Sequence, residues 1–274
     1  MEKIDRLGWA DGFAFRALGV KVGVRATRAD VLEELRGPLP PDSAPLATPE
    51  VDLLYSLVVG GPGSRPGVKR MHVLYADETR QARAEHLPDI LRVFEMDLSL
   101  KLGAMARGRL VLHAGVVEHG GRALVLPGHS MSGKSTLVTA LVKAGATLYS
   151  DEYAVIDAHG RVHPYRRPIS LREGPDLRPV PYRPEAFGGR WGRRPVPVGL
   201  VALTAYRAGA RFTLRPLTAG RATVEVFAHA LAGVFRPERT FARLAPQVAG
   251  WRVEMGVRGE ADDAARRLLE RLAG

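Results

Sequence analysis

The spacing of apolar residues predicts strands and helices in alternation along the chain. FAFRALGVKVGVRA (residues 13–26) alternates apolar and polar positions around a glycine break and reads as one or two strands. TRADVLEELRG (27–37) reads as a helix with Thr27 as N-cap, Asp30 three residues on, and Gly37 at its end. PLPPDSAPLATPE is a proline-rich loop, and VDLLYSLVVG and MHVLYAD are strands separated by the turn-rich GPGSRPG. Over 87–106, Ile90, Leu91, Phe94, Leu98 and Leu102 recur at the spacing of a long helix with one buried face.

The second half opens with RLVLHAGVVEHGGRALVLPG, two apolar runs joined at His119-Gly120-Gly121 as a hairpin. A glycine-rich loop and a helix follow, then ATLYSDEYAVIDAHGRV, a strand pair interrupted by an acidic dipeptide. Residues 174–197 hold too much Pro, Gly and Arg for regular structure, and GLVALTAY and ARFTLRPL resume the strands. The tail reads as helical, with Val224, Phe227, Leu231 and Val234 on one stripe and EADDAARRLLERLA at the close. The expectation is an α/β protein with an N-terminal subdomain over residues 1–106 and a second domain over 107–274.

Composition narrows the chemistry. The chain has no cysteine, which excludes disulfides, thiolate catalysis and cysteine-held metals. Its beginning, MEKIDRLGWADGFAF, lacks the basic-then-apolar layout of a secretion signal, and no apolar run approaches the ~18 residues of a membrane span. A cytoplasmic location is the expectation. A balance of 40 Lys+Arg against 29 Asp+Glu gives +11, which favours anionic partners, although a coding bias toward Ala, Arg, Gly and Pro accounts for such a charge equally well.

The most specific signal is LVLPGHSMSGKSTLVTALVKAG. Gly128-His129-Ser130-Met131-Ser132-Gly133-Lys134-Ser135 satisfies G-x-x-x-x-G-K-[ST] between a strand and a helix. Glycines let the backbone curl so that successive N–H groups face phosphate oxygens, and the helix N-terminus adds its dipole. Gly128, Ser130, Ser132, Gly133, Lys134, Ser135 and Thr136 are the expected nucleotide-binding set. Lys134 supplies charge near the β- and γ-phosphates, and the Ser135 hydroxyl suits Mg2+. The loop binds through backbone, so His129 and Met131 take no side-chain role.

Asp151 and Glu152 end the apolar run TLYS. Successive strand residues face opposite ways, so one carboxylate is expected to face the nucleotide, to hold Mg2+ or to take a proton from an attacking hydroxyl. Asp151, first after the run, is that residue. His113, inside LVLHAGVV, reads by composition more readily as a core histidine than as a catalyst.

LHAGVVEHGGRALVLPGHSMSGKSTL followed by YSDEYAVID resembles the catalytic region of the HPr kinase/phosphorylase family and its shorter serine-kinase relatives. The family's histidine-glycine strand, phosphate loop and acidic pair fall on His113, Gly115, residues 128–135 and Asp151-Glu152. The resemblance implies a P-loop core of the HPr-kinase C-terminal, PEP-carboxykinase-like kind, with a mixed sheet, an N-terminal α/β extension and C-terminal helices. It also implies Asp151 as base toward a serine hydroxyl, with His113 near the phosphates. Glu152 stands where the family usually has aspartate, and the glycine-rich signature linked to the reverse reaction is not recognisable.

The expected activity is therefore Mg-ATP-dependent transfer of the γ-phosphoryl group to a hydroxyl, serine of a protein or of a ribosomally made peptide. Asp151, His113 and Lys134 form the catalytic set, and Ser135 and Glu152 the Mg2+ set. Within GPDLRPVPYRPEAFGGRWGRRPVP and the SLREG before it, Arg172, Arg190 and Arg193 could belong to a lid or to peptide docking. No nucleic-acid-binding module accompanies those arginines. A regulatory or scaffold module that binds nucleotide without transfer is the alternative, and an ATPase coupled to nucleic acid is a third reading. Homo-oligomerisation stays open.

Overall fold

The computed structural model describes residues 2–40, 43–48, 50–61, 70–129 and 132–274. The chain is mixed α/β and divides into two compact units, Met1–Arg107 and Gly108–Gly274.

The first unit holds a short helix α1 (Glu2–Asp5), strands β1 (Asp11–Ala17) and β2 (Val20–Ala26), and helix α2 (Leu32–Arg36). Strands β3 (Ala44–Leu46), β4 (Leu53–Val58), β5 (His72–Ala76) and β6 (Thr79–Ala84) follow, then helix α3 (Leu87–Met105). The six strands form one sheet in the order β3-β1-β2-β4-β5-β6, antiparallel except for β2 and β4. The helix expected over 87–106 forms, and Ile90, Phe94, Leu98 and Leu102 bury its apolar stripe against Tyr55, Leu57 and Leu74. The ring of Tyr55 meets Phe94 edge-on at 4.9 Å while its hydroxyl donates to Asp97 at 2.7 Å, so the polar tip is satisfied where the ring is buried.

Three details differ from the sequence reading. Thr27 does not cap a helix: its hydroxyl accepts the Val59 N–H at 2.9 Å, and a 3-10 turn (Ala29–Val31) precedes α2. The proline-rich stretch contributes the edge strand β3, a position where proline is tolerated because one side of the strand needs no partner. The turn expected at GPGSRPG falls almost wholly in 62–69, outside the described residues.

The second unit begins with β7 (Arg109–His119) and β8 (Arg122–Pro127), joined at Gly120-Gly121, both at positive φ as a two-residue hairpin requires. Helix α4 (Lys134–Lys143), β9 (Thr147–Ser150), β10 (Tyr153–Asp157) and β11 (Arg161–His163) come next. They are followed by β12 (Ile169–Glu173), β13 (Arg178–Tyr182), β14 (Val196–Tyr206) and β15 (Thr213–Pro216). Helices α5 (Ala219–Phe227) and α6 (Pro237–Val248), strand β16 (Val253–Arg258) and helix α7 (Ala261–Ala273) complete the unit. The main sheet runs β11-β10-β7-β8-β14-β16-β15, with β9 also on β7. β14 lies parallel to β8 and β16, and its first residues pair with β11, so the sheet curls back on itself.

Period-two alternation places helices on both faces. Leu124 and Leu126 of β8 pack with Leu137, Leu141, Leu268 and Leu272 of α4 and α7, while Val125 packs with Val226, Leu244 and Val248 of α5 and α6. The tail is not wholly helical, because β16 lies inside the sheet between α6 and α7. Nor does the expected stripe form: α5 ends at Phe227, and Val224 and Val234 are 61% and 84% exposed while Ala222, Thr223 and Val226 face inward. Residues 174–197 are more regular than their composition suggests, holding β13, a 3-10 turn (Pro184–Phe187) and the start of β14.

Candidate functional site

Strand β8 ends at Pro127 and α4 starts at Lys134. Gly133 sits in the left-handed region (φ 76°, ψ 19°) as the helix N-cap, a conformation that glycine adopts without the Cβ penalty. The first-turn N–H groups of α4 are left without helical acceptors. Lys134 Nζ donates to the Gly128 carbonyl at 3.0 Å, closing the loop on itself. Ser130 and Met131 lie outside the described residues.

Gly115 sets the distance between α4 and the sheet. A Cβ there would come within 2.6 Å of Val138 and 3.3 Å of Lys134 Cγ, so the bare backbone of β7 lets the helix settle close.

The acidic pair occupies the turn between β9 and β10. Ser150 Oγ accepts the N–H groups of Glu152 at 3.1 Å and Tyr153 at 3.0 Å, and this turn directs the two carboxylates differently. Asp151 is buried, 5% exposed; its Oδ2 accepts from Ser135 Oγ at 2.7 Å and from the Ser170 N–H at 3.0 Å. Its Oδ1 is buried and has no partner. Burial pushes the Asp151 carboxyl up to about 6, against the opposing pull of Ser135, Ser170 and Lys134. Glu152 also borders the cleft and pairs with Arg167 at 3.2 Å.

Burial also lowers the Lys134 ammonium to about 8, with Asp151 and Glu152 holding it back from falling further. His113 lies on β7 opposite Tyr153, and its N–H donates to the His229 carbonyl at 2.8 Å. Burial, with Lys134 and His129 nearby, lowers its imidazole to about 4, so the ring is neutral near pH 7. His229, its ring 5.0 Å from that of His129, is lowered to about 4 for the same leading reason.

These groups border one cleft of about 590 Å3, floored by His113, Gly133, Lys134, Ser135 and Thr136, with Asp151 and Glu152 at its side. The hairpin of β12 and β13 supplies the facing wall through Leu171, Arg172, Glu173 and Pro179. Arg172 therefore reaches the cleft, although its Nη1 is tied to the Leu177 carbonyl at 3.1 Å. Arg190 and Arg193 do not line it. Arg190 Nε donates to Thr147 Oγ1 at 3.3 Å, and this part of the chain wraps β9, where the Tyr149 hydroxyl donates to the Arg194 carbonyl. The wall over the cleft is thus the hairpin that precedes the arginine-rich stretch.

Two groups were not anticipated from the sequence. The Ser170 N–H reaches Asp151 from β12, and Arg258 at the end of β16 lies beneath the loop, donating to the Gly133 carbonyl at 2.9 Å and the Ser132 carbonyl at 3.3 Å. The only sequence signal for Arg258 was an arginine inside an otherwise apolar-glycine run, GVRG. No protein-family model matches the chain, and no curated protein matches it significantly. No described helix is long and apolar enough to cross a membrane.

Proposed function

We propose that the second unit is a P-loop kinase domain, similar to the HPr kinase/phosphorylase family, that transfers the γ-phosphoryl group of ATP to a serine hydroxyl of a protein or peptide. The observation that carries this reading is the buried carboxylate of Asp151, bonded to Ser135 at the head of α4, with Oδ1 unpartnered beside the cleft that also holds Lys134. A buried carboxylate raised toward neutrality beside the loop suits a proton acceptor at the reacting centre.

The Ser135 hydroxyl and the Glu152 carboxylate, both lining the cleft, are oxygen donors that would fit a hard divalent cation, and Asp151 Oδ1, without a partner, is left to accept a proton. Arg167 engages the Glu152 carboxylate through Oε2 at 3.2 Å. Bound there, Mg2+ would neutralise charge on the β- and γ-phosphates.

The chain's own groups then divide the work. Loop N–H groups from 132 to 136 and the α4 dipole hold the phosphates, and Lys134 adds a cation beside them. Asp151 takes the proton of the acceptor hydroxyl as its oxygen bonds to the γ-phosphorus and the bond to the β–γ bridging oxygen breaks, leaving ADP. Neutral His113 offers a hydrogen bond without adding charge. The hairpin of β12 and β13 limits water at the reacting centre.

The test is calorimetry of MgATP binding together with mass spectrometry of peptides incubated with the protein and isotope-labelled ATP. Labelled phosphoserine is expected. ATP bound and recovered unchanged with every hydroxyl offered would favour the regulatory module.

A further inference from the structure

Arg258 is 2% exposed and makes no direct ion pair among the described residues; the charge of Glu260, which accepts from the Tyr206 hydroxyl, acts on it from a distance. Its guanidinium is spent on backbone: Nη2 donates to the carbonyls of Ser132 and Gly133, and Nη1 to that of Gly259 at 3.3 Å. Nε is buried without a partner, and the Tyr206 ring lies 5.2 Å from the guanidinium carbon. Burying a full charge without a direct ion pair costs several kcal/mol in general. Burial accordingly holds the group below the ordinary arginine range.

The location of that charge gives it a use. In a trans peptide the N–H points opposite to the C=O. By holding the carbonyls of Ser132 and Gly133, Arg258 fixes the planes whose N–H groups belong to Gly133 and Lys134 and turns those donors away from itself, toward the phosphate side of the loop. A Cβ on Gly133 would stand 2.7 Å from Nη2, so the left-handed glycine and the arginine are fitted to each other. The planar fork of arginine reaches both sides at once, Nη2 to the two loop carbonyls and Nη1 to Gly259, whereas a lysine would offer one point charge.

We infer that Arg258 is the positioning residue of the anion loop: it pre-forms the loop from below, and its charge, offset only at a distance by Glu260, is balanced by the bound phosphates. This rests on the loop being a phosphate site, as the proposed function holds, and assigns the anion's counter-charge to a residue 125 positions away in sequence.

The test compares the full-length protein with Arg258→Met and Arg258→Lys. Calorimetry would use MgATP and, separately, inorganic tripolyphosphate; melting curves and amide hydrogen exchange of residues 128–137 would use the unliganded proteins. Arg258→Met is expected to bind both anions about 10–100-fold more weakly, the worth of a charge-assisted hydrogen bond. Its loop amides should exchange faster, while its melting temperature without ligand stays within a few degrees of the parent or rises, since a lone buried charge has been removed. Arg258→Lys should fall between the two in affinity. Unchanged anion affinity and unchanged exchange in folded Arg258→Met would overturn the assignment. So would a large loss of melting temperature with normal affinity in the folded fraction, which marks a merely structural role. If the parent binds tripolyphosphate but not ATP, the kinase reading fails and Arg258 is judged on tripolyphosphate alone; loop exchange unaltered by the substitution overturns it whatever the parent binds.

Discussion

Ser135 Oγ and Asp151 Oδ2 lie 2.7 Å apart, joining the first turn of α4 to the turn between β9 and β10. This bond brings the head of the glycine-rich loop and the acidic pair, both legible as motifs, into one arrangement. The two acids have different partners, since Glu152 pairs with Arg167.

Asp151→Asn keeps the shape and removes the proposed base. Transfer should fall on the order of 10²–10⁴-fold, while MgATP affinity changes little, as read by steady-state transfer and calorimetry. The same variant tests the burial of the charge. Because the folded carboxyl is raised from 3.8 to about 6, ionising it costs stability: the cost is absent below the unfolded value and complete above about 6. The parent should therefore lose melting temperature relative to Asp151→Asn as pH climbs through that window.

The pH dependence of kcat/KM reports the free enzyme's groups. Asp151 must be ionised, giving a rise through about 6, and Lys134 must be charged, giving a fall through about 8. In Asp151→Asn the residual rate should lose the acid limb and keep the alkaline one.

Lys134→Ala removes the cation and its bond to the Gly128 carbonyl. MgATP affinity should drop by about 10–100-fold, with a smaller effect on binding of adenosine, which carries no phosphate.

Gly115→Ala probes the packing beneath the site. The new methyl would press on Val138 and on the stem of Lys134, pushing α4 off β7. A destabilisation of about 1–3 kcal/mol is expected in urea unfolding, together with a raised KM for ATP.

What the sequence disclosed was local. The run RALVLP, the glycine loop and STLVTALVK are contiguous, and each signals its own element, so β8, the loop and α4 could be read directly. Strand β16 could not, because its charged residues look solvent-exposed. Glu254 is buried by pairing with Arg252 and Arg271, and Arg258 by bonding to the loop. β13 hid behind its prolines, which a two-stranded hairpin tolerates where a central strand would not. The arginines of the 174–197 stretch are abundant, yet Arg190 and Arg193 are kept from the cleft because the chain between them and β14 is packed over Tyr149. Only the tertiary path settles such a point.

The most direct test of the central claim is transfer of label from γ-labelled ATP to serine-containing peptides by the parent and by Asp151→Asn at equal MgATP saturation. Labelled phosphoserine from the parent and at least about 100-fold less from the variant is the predicted result. Equal label from both, or none from a parent that binds MgATP, would contradict it.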